Sequence, residues 1–578
     1  MTAATTTAPS GRDPGSDDPA PDRSAAGTGS LDALLADASG SGLRPFLPGR
    51  AGLVLAAKLA SRPVTVTRRS LALSRELARI AVGRSELAPA GRDRRFQDPA
   101  WSGNPVLKRV LQTYLAYGGT LEQLLDDANL DWRDDHRLRF VVDNLVAAMA
   151  PSNAPFLNPA ALKAGLDTGG RNYLQGGRQL VKDLSRKPRI PQMVDTDAFT
   201  VGGDLAVTEG AVVLRTPVFE LIQYAPRAEQ VHAVPVLVVP PMINKFYIAD
   251  LAPGRSMVEH FLDAGLQVFA MSWVNPCEEQ RDLGLDDYAG AVLEAMDTLD
   301  EVTGADRTLL FALCAGGIVT STVVSHLVAT GRADRVAGLT LGVTVLDQQH
   351  AGTVGSLVDP PTAAAAAAAS AHRGYLDGRS LAGVFAWLLP DDLVWNYWVN
   401  NYLLARKPPA FDVLFWNADT TRMPAGLHRD FLRLAMDNAL VHPGRATVLG
   451  TPVDLSKVEV DTYNLAGVAD HICPWENVYR SGRLLGAPPR FVLSTSGHIA
   501  ALVNPPGNAK ATYRVAEELP EDPEQWAAQA STHRGSWWPD WTAWACARAG
   551  ETGAAPTALG STAHPPLEAA PGTYVLVE

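Results

Sequence analysis

Cys314, which stands in a run of small residues, is the side chain of this sequence best placed for chemistry. Residues 309–313 before it are apolar enough for a buried strand, and a helix-competent stretch follows from about 318 to 327. A thiolate held at the N-terminus of a helix is stabilised by the helix dipole, which lowers its pKa and makes it nucleophilic near neutral pH. The pattern therefore predicts a reactive cysteine at a sharp strand-to-helix turn.

A thiol nucleophile needs a base, and that base needs a group that orients it. Two later loops, each placed directly after a predicted strand, supply them: 467–471 contains Asp470, and 496–499 contains His498. Nucleophile, acid and histidine occur in this order in the α/β-hydrolase fold, where such loops meet at one edge of the sheet. We therefore predict Cys314, Asp470 and His498 as the catalytic residues, and His471 as a loop residue that shapes the turn.

An oxyanion hole in this fold combines two backbone N–H groups. One comes from the residue after the nucleophile, which is Ala315 here. The other comes from a loop after an early strand, and the segment 238–245, with its two prolines, occupies that place. We predict the N–H of Met242 or Ile243 as the second donor.

Composition narrows the class of protein. The chain has 578 residues, 46% of them hydrophobic, with a net charge of −12, which argues against a nucleic-acid-binding protein. Its four cysteines are far apart in sequence and lack zinc-site spacing, so we expect neither a disulfide framework nor a structural metal. We expect no cofactor either. We also expect no transmembrane segment and no signal peptide, and the cysteine usage suits the cytoplasm.

Periodicity divides the chain into a helical part and a strand-rich part. We expect a disordered tail over 1–30, a mostly helical N-terminal domain over 31–194, an α/β-hydrolase catalytic domain over 195–550 and a loose tail over 551–578. Strands and helices alternate in the catalytic domain, with strands predicted at 234–239, 267–273, 308–313, 339–345, 461–465 and 490–493, and helices at 256–264 and 285–303.

The segment at about 347–445 interrupts this alternation. It contains seven consecutive alanines and a dense group of aromatic residues, so we interpret it as a helical insertion with its own core. Such an insertion can also be a cap that excludes water from the active site. Further on, Trp537, Trp541 and Trp544 have helical spacing, which favours a helix packed on the core over a surface for a partner or polymer.

Several longer motifs resemble the poly(3-hydroxyalkanoate) synthases, and more narrowly their class I members. The matching segments are 96–101 (FQDPAW), 151–153 (PSN), 239–245 (VPPMINK), 469–475 (ADHICPW), 496–499 (SGHI), 503–508 (VNPPGN) and 535–541 (GSWWPDW). The family's nucleophile lies in a G-x-C-x-G-G box that falls on Cys314, and its acid and histidine fall on Asp470 and His498. The first glycine of the box is Ala312 here, from which we expect only a slight shift in packing.

The resemblance implies the reaction and its setting. The substrate would be an (R)-3-hydroxyacyl-CoA, coenzyme A would leave, and the acyl group would form a thioester with Cys314 before joining a polyester chain. Either His498 or Asp470 would deprotonate the incoming hydroxyl. The resemblance also implies a cytoplasmic enzyme associated with polymer granules, commonly a homodimer, with no nucleic-acid partner.

The basic segment 41–100, with 12 Lys/Arg against 4 Asp/Glu, is either a solvated helical face or a surface that docks on the granule. Two other functions stay open for the whole chain. A cysteine-dependent hydrolase of esters or thioesters would use the same three residues with water as the acceptor, and a non-enzymatic granule protein would use none of them.

Overall fold

A computed structural model describes residues 48–91, 93–186, 188–349 and 360–577, so the predicted tail over 1–30 lies outside the described residues. Helices dominate the described residues from 48 to 190, as predicted. The α-helices of the described ranges, numbered α1 to α18 in chain order, are Gly49–Ala60, Pro63–Ala81, Ala100–Gly103, Pro105–Ala128, Trp132–Ala148, Pro159–Asp167, Arg171–Leu184, Met257–Asp263, Leu285–Thr303, Ala315–Ala329, Pro360–Arg373, Gly378–Leu388, Asp412–Ala418, Ala425–Met436, Trp475–Gly482, His498–Leu502, Pro523–Gln529 and Trp538–Cys546.

An eleven-stranded sheet forms the centre of the described molecule. Its strands, numbered β1 to β11 in chain order, are Gly210–Arg215, Phe219–Tyr224, Val236–Val239, Val268–Trp273, Thr308–Leu313, Val336–Gly342, Thr462–Gly467, Arg490–Ser494, Thr512–Val515, Ser531–Arg534 and Glu568–Ala569. They lie in the order β10-β9-β8-β7-β6-β5-β3-β4-β2-β1-β11. The six strands from β8 to β4 are parallel, and the outer strands pair antiparallel. This arrangement is the α/β-hydrolase sheet expected from the sequence.

Continuous burial explains why the parallel strands are runs of apolar residues. Every residue of β3, β4, β5, β6 and β7 is buried, because helices cover both faces of the sheet. The predicted bounds of β5 and of helix α9 agree with the structure. The strand predicted at 339–345 ends earlier, at Gly342, since Val343 takes a positive φ of 46° and turns the chain.

The expectation of a loose segment beyond residue 550 is wrong. Strand β11 pairs with β1 and extends the sheet by one strand at that edge. Val575 is buried, and its carbonyl oxygen accepts a hydrogen bond of 2.6 Å from Nζ of the buried Lys245. The C-terminal segment therefore helps to hold the loop that follows β3. The domain boundaries at 194 and 550 stay predictions.

Helix α18 packs on the sheet, as the spacing of its tryptophans predicts. Trp537, just before the helix, and Trp541 are fully buried, and the Trp541 indole N–H donates to Oγ1 of Thr340 in β6 at 2.8 Å. Trp544 is only half-buried and contacts the ring of Tyr463 in β7. The tryptophans are thus part of the core on this face of the sheet.

The N-terminal helices are tied to the inserted segment between β6 and β7. Two wide-turn helices of the π type, Asp391–Trp395 and Trp398–Leu403, lie in that segment. The side-chain amide of Asn172 in α7 donates to the backbone oxygen of Leu403 at 2.8 Å. Gly176, one turn further along α7, lies directly against the backbone of Tyr402. The N-terminal region therefore braces the insertion.

This contact makes opposite predictions for two adjacent glycines of α7. A Cβ at Gly176 would overlap the backbone oxygen of Tyr402, whereas a Cβ at Gly177 would meet nothing within 4 Å. We expect Gly176→Ala to lower the free energy of unfolding by about 1–3 kcal/mol through overpacking. Gly177→Ala should raise it by about 0.5–1 kcal/mol, because alanine favours helix. Urea unfolding of both variants measures the pair, and equal effects would contradict the contact.

None of the helices in the described ranges combines the length and the apolar character that a bilayer-spanning segment requires.

Candidate active site

The turn between β5 and α10 holds Cys314 in a strained conformation. Its φ of 49° and ψ of −119° lie outside the regions that a side chain usually allows, which is typical of a nucleophile elbow. Such a turn needs small neighbours. A Cβ at Gly316 would lie 2.5 Å from the backbone oxygen of Val239, and one at Gly317 would overlap the side chain of Thr344. The two glycines after Ala315 therefore allow the helix to start against the neighbouring strands.

Three loops at the carboxyl edge of the sheet bring the predicted residues together. Cys314 follows β5, Asp470 follows β7, and His498 follows β8 and begins α16. Nδ1 of His498 lies 2.7 Å from Oδ2 of Asp470, and both side chains are buried. Oδ1 of the same carboxylate accepts the backbone N–H groups of Ile472 and Cys473, each at 2.8 Å. The carboxylate is therefore fixed, and it fixes the imidazole in turn.

The second ring nitrogen of His498 is left to face Cys314. The Cys314 sulfur lies within 4.8 Å of an imidazole nitrogen, and Nδ1 is already used by Asp470. Hydrogen bonding from the Cys473 thiol, followed by the effects of His498 and of the Ala315 N–H, outweighs burial and lowers the pKa of Cys314 to about 5. Burial opposes the charged form of His498, but Asp470 and Cys314 raise its pKa to about 10. The electrostatics therefore favour a thiolate–imidazolium pair.

This pair predicts how alkylation of Cys314 depends on pH. Iodoacetamide reacts with the thiolate, which exists above the pKa of the thiol. We expect the rate at Cys314 to rise through about pH 5 and to stay level to about pH 9, because His498 keeps its proton in that range. The alkylation rate of an ordinary thiol has its inflection near pH 8.5 and goes on rising above it. Mass spectrometry of the labelled peptide measures the rate, and an inflection near pH 8.5 would contradict the pair.

The predicted oxyanion donors differ in their surroundings. The Ala315 N–H is one of the groups that lower the pKa of the Cys314 thiol, as expected of a donor close to the sulfur. Both residues are buried, but Ile243 lines the cavity in front of Cys314 and Met242 does not. Thr421 braces this loop, because its hydroxyl donates to the backbone oxygen of Met242 at 3.0 Å. Ile243 therefore borders the space in front of Cys314, and the choice between Ile243 and Met242 as the second donor stays a prediction.

A cavity of about 270 Å³ opens in front of Cys314. Its walls are mostly apolar, and the insertion between β6 and β7 contributes Ala386, Leu389, Leu393, Val413, Leu414, Trp416 and Asn417. Among the aromatic residues of the insertion that the structure describes, Trp416 lines the cavity, and none of these others does: Trp387, Trp395, Tyr397, Trp398, Tyr402, Phe411 and Phe415. Trp387, Trp395, Trp398 and Tyr402 instead form a chain of edge-to-face ring contacts. The insertion thus covers the cavity mainly with aliphatic side chains.

The sequence reasoning missed Cys473. Its sulfur, the Cys314 sulfur and a ring nitrogen of His498 all lie within 4.8 Å of one another, and all three residues are buried. Within the described ranges this is the group of side chains that could ligate a metal ion, and such an ion would occupy the candidate nucleophile and base. Cys473 lies three residues after Asp470, just beyond the loop 467–471 that the sequence assigned to the site, and the sequence around it gave no further signal.

His471 lies beside Asp470 but outside the chain of hydrogen bonds that joins Asp470 to His498. It lines the cavity, and burial lowers its pKa to about 4, so the ring is neutral at neutral pH. It therefore offers the cavity an uncharged polar wall. The catalytic roles of Cys314, Asp470 and His498, like that of the oxyanion donors, stay predictions.

Two family descriptions match the chain. Residues 92–261 match the N-terminus of poly-beta-hydroxybutyrate polymerase (PhaC), and residues 236–505 match the alpha/beta hydrolase fold. The second match contains all three residues of the candidate site. The first extends past residue 195, so it covers the helical region from α3 onward and the first strands of the sheet.

Curated relatives match along most of their length. Poly(3-hydroxyalkanoate) polymerases 1 and 2 of Ectopseudomonas oleovorans are 47% and 46% identical, over 86% and 89% of this chain and 89% and 92% of their own. The poly(3-hydroxyalkanoate) polymerase subunit PhaC of Cupriavidus necator is 40% identical over 86% of this chain and 85% of its own. These names specify no subclass, so the assignment to class I stays a prediction. The chain belongs to the poly(3-hydroxyalkanoate) polymerase family.

Proposed function

We propose that this protein polymerises (R)-3-hydroxyacyl-CoA thioesters into polyhydroxyalkanoate and carries the acyl group as a thioester on Cys314. The observation that carries the proposal is the alignment of Cys314, His498 and Asp470 at an apolar, covered cavity in a chain of this family. Thiolate, imidazolium and fixed carboxylate are the parts that acyl transfer through a covalent intermediate requires.

Acylation is the first step. The Cys314 thiolate attacks the thioester carbonyl, and the N–H groups of Ala315 and Ile243 stabilise the negative oxygen. The bond between carbonyl carbon and coenzyme A sulfur then breaks, and His498 gives its proton to the leaving thiolate. One thioester replaces another of nearly equal energy, so the acyl group on Cys314 stays activated for the next transfer.

Elongation is the second step. The 3-hydroxyl of another unit attacks the acyl carbonyl on Cys314, an ester forms and the bond to the cysteine sulfur breaks. A base must take the hydroxyl proton. His498 is adjacent to Cys314 and is the base that the geometry favours, whereas Asp470 is occupied by His498 and by two backbone N–H groups. The aliphatic wall of the insertion would keep water from competing with this hydroxyl.

The competing proposal is hydrolysis by the same residues, and one assay separates the two. Purified protein is given (R)-3-hydroxybutyryl-CoA, and free coenzyme A, turbidity and soluble 3-hydroxyacid are followed together. Polymerisation predicts turbidity that grows with coenzyme A release and little free acid. Hydrolysis predicts one free acid for each coenzyme A and a clear solution. A non-enzymatic granule protein would release no coenzyme A. No cofactor is needed for any of these steps.

The setting of the reaction is also a proposal. We expect the protein to act in the cytoplasm on the surface of polymer granules, as a homodimer. Exposed apolar side chains of α1 and α2, among them Leu53 and Val64, support a docking role for the basic segment. Some of the basic residues are structural, however, since Arg69 pairs with Asp127 at the end of α4. Co-sedimentation with isolated granules tests the docking.

A further inference from the structure

Cys473 faces the candidate nucleophile from a separate loop, and the steps proposed above do not use it as a nucleophile. It is almost fully buried, and its sulfur lies within 4.8 Å of the Cys314 sulfur. Its backbone N–H is held by Oδ1 of Asp470 at 2.8 Å, so the loop position is fixed by the carboxylate that also orients His498. A second thiol is thus built into the site at a defined place.

The two sulfurs differ in their access to the cavity and in their protonation. Cys314 borders the cavity, lies beside His498 and is held as a thiolate, which is the form that reacts with peroxides. Burial, followed by the neighbouring Cys314 sulfur, raises the pKa of Cys473 well above its ordinary value, so Cys473 keeps its proton. Cys314 can therefore be reached from the cavity, whereas Cys473 is a protonated thiol buried behind it.

We propose that Cys473 is a resolving cysteine, which traps peroxide-oxidised Cys314 as a reversible disulfide. In the first step the Cys314 thiolate attacks hydrogen peroxide: a sulfur–oxygen bond forms, the peroxide bond breaks, hydroxide leaves, and sulfur loses two electrons. In the second step the Cys473 sulfur attacks the sulfenic acid: the disulfide forms, the sulfur–oxygen bond breaks, and the departing hydroxide takes the thiol proton as water.

The consequence is protection of the nucleophile. Without a nearby thiol, a sulfenic acid is oxidised further to sulfinic acid, which ordinary thiol reductants do not reverse. A disulfide of about 2.05 Å requires the two sulfurs to move closer than they lie in the reduced protein. Two buried side chains that already face each other need a shorter movement than cysteines brought from separate surfaces, such as Cys277 and Cys546.

The test identifies the oxidation products of the cysteines in the full-length protein. Reduced protein is treated with hydrogen peroxide and digested without reductant, and the peptides are identified by mass spectrometry. We expect a linked pair of peptides containing Cys314 and Cys473 and an intact mass lower by two hydrogen atoms. This readout does not depend on catalysis, so it can fail or succeed independently of the proposed function. Sulfinic Cys314 without the linked pair, or Cys314 linked to another cysteine, would overturn the proposal.

A second experiment measures the recovery of enzymatic activity, and it rests on the proposed function. Each protein is treated with peroxide and then with dithiothreitol, and the recovered fraction of its starting rate of coenzyme A release is measured. We expect this fraction to be at least tenfold higher in wild type than in Cys473→Ser. Serine can still donate a hydrogen bond to Cys314 but cannot form the disulfide, so the comparison isolates the redox role. The matched control, Cys546→Ser, removes a remote half-buried thiol and should recover like wild type. Equal recovery in Cys473→Ser and wild type would contradict the role.

Discussion

Replacing Cys314 with serine should abolish the release of coenzyme A from (R)-3-hydroxybutyryl-CoA. The site favours a negatively charged sulfur through the Cys473 thiol, the His498 imidazole and the Ala315 N–H. A serine hydroxyl is far less acidic than a thiol and would remain protonated there. We expect turnover to fall at least about a thousandfold, the scale on which triad enzymes lose activity without their nucleophile.

The control for this prediction is Cys546→Ser. It removes a sulfur of the same chain at a half-buried position outside the cavity, and it should keep wild-type turnover. Circular dichroism and the midpoint of urea unfolding should agree between Cys314→Ser and wild type, because the two side chains are similar in volume. Polymer formed by Cys314→Ser at the wild-type rate would contradict the assignment of the nucleophile.

Asp470→Asn should affect elongation more than acylation. Oδ1 of Asp470 accepts two backbone N–H groups, so the amide oxygen of an asparagine would occupy that place and its NH₂ group would face His498. Nδ1 would then have to accept a hydrogen bond, and the ring proton would move to Nε2. A base needs an unprotonated nitrogen there to accept the proton of the substrate. Loss of the correct tautomer costs a serine protease about 10⁴-fold in turnover.

The two steps differ in how much they need the base. A thiol ionises near neutral pH with modest help, whereas the 3-hydroxyl of the substrate does not. We therefore expect Asp470→Asn to lower the single-turnover rate of acylation by about 10-fold and the rate of elongation by at least about a hundredfold. Rapid-quench measurement of coenzyme A release and of oligomer length separates the steps. Equal losses in the two rates would mean that acylation and elongation depend equally on the base, which would contradict this prediction.

Much of the fold follows from local patterns. Continuous apolar runs that end in small or polar residues predicted β5 and β7, and the strand–nucleophile–helix pattern placed Cys314 at its turn. The chain order of Cys314, Asp470 and His498 then predicted their meeting, because the ends of parallel strands share one edge of the sheet. Ala312, where the family has glycine, is fully buried in β5 without breaking the strand.

The features that the sequence did not reveal depend on contacts between distant segments. Nothing local to Cys473 predicts a neighbour 159 positions earlier in the chain. The composition after residue 550 resembles a loose tail, but pairing of β11 with β1 and the contact of Val575 with Lys245 hold it in place. Four aromatic residues of the insertion, Trp387, Trp395, Trp398 and Tyr402, contact one another, and Trp398 also donates a hydrogen bond to the backbone of Asn153 in the N-terminal region. The number of aromatic residues in a segment cannot distinguish such packing from the lining of a cavity.

The covalent intermediate on Cys314 is the central claim, and its direct test is the mass of the Cys314 peptide during turnover. The protein is mixed with (R)-3-hydroxybutyryl-CoA, quenched in acid within the first turnover and digested with pepsin, which preserves thioesters. We expect one 3-hydroxybutyryl group on Cys314, appearing at the rate of the first coenzyme A released. Coenzyme A release and polymer growth with Cys314 unmodified throughout, or with the acyl group on another residue, would contradict the account.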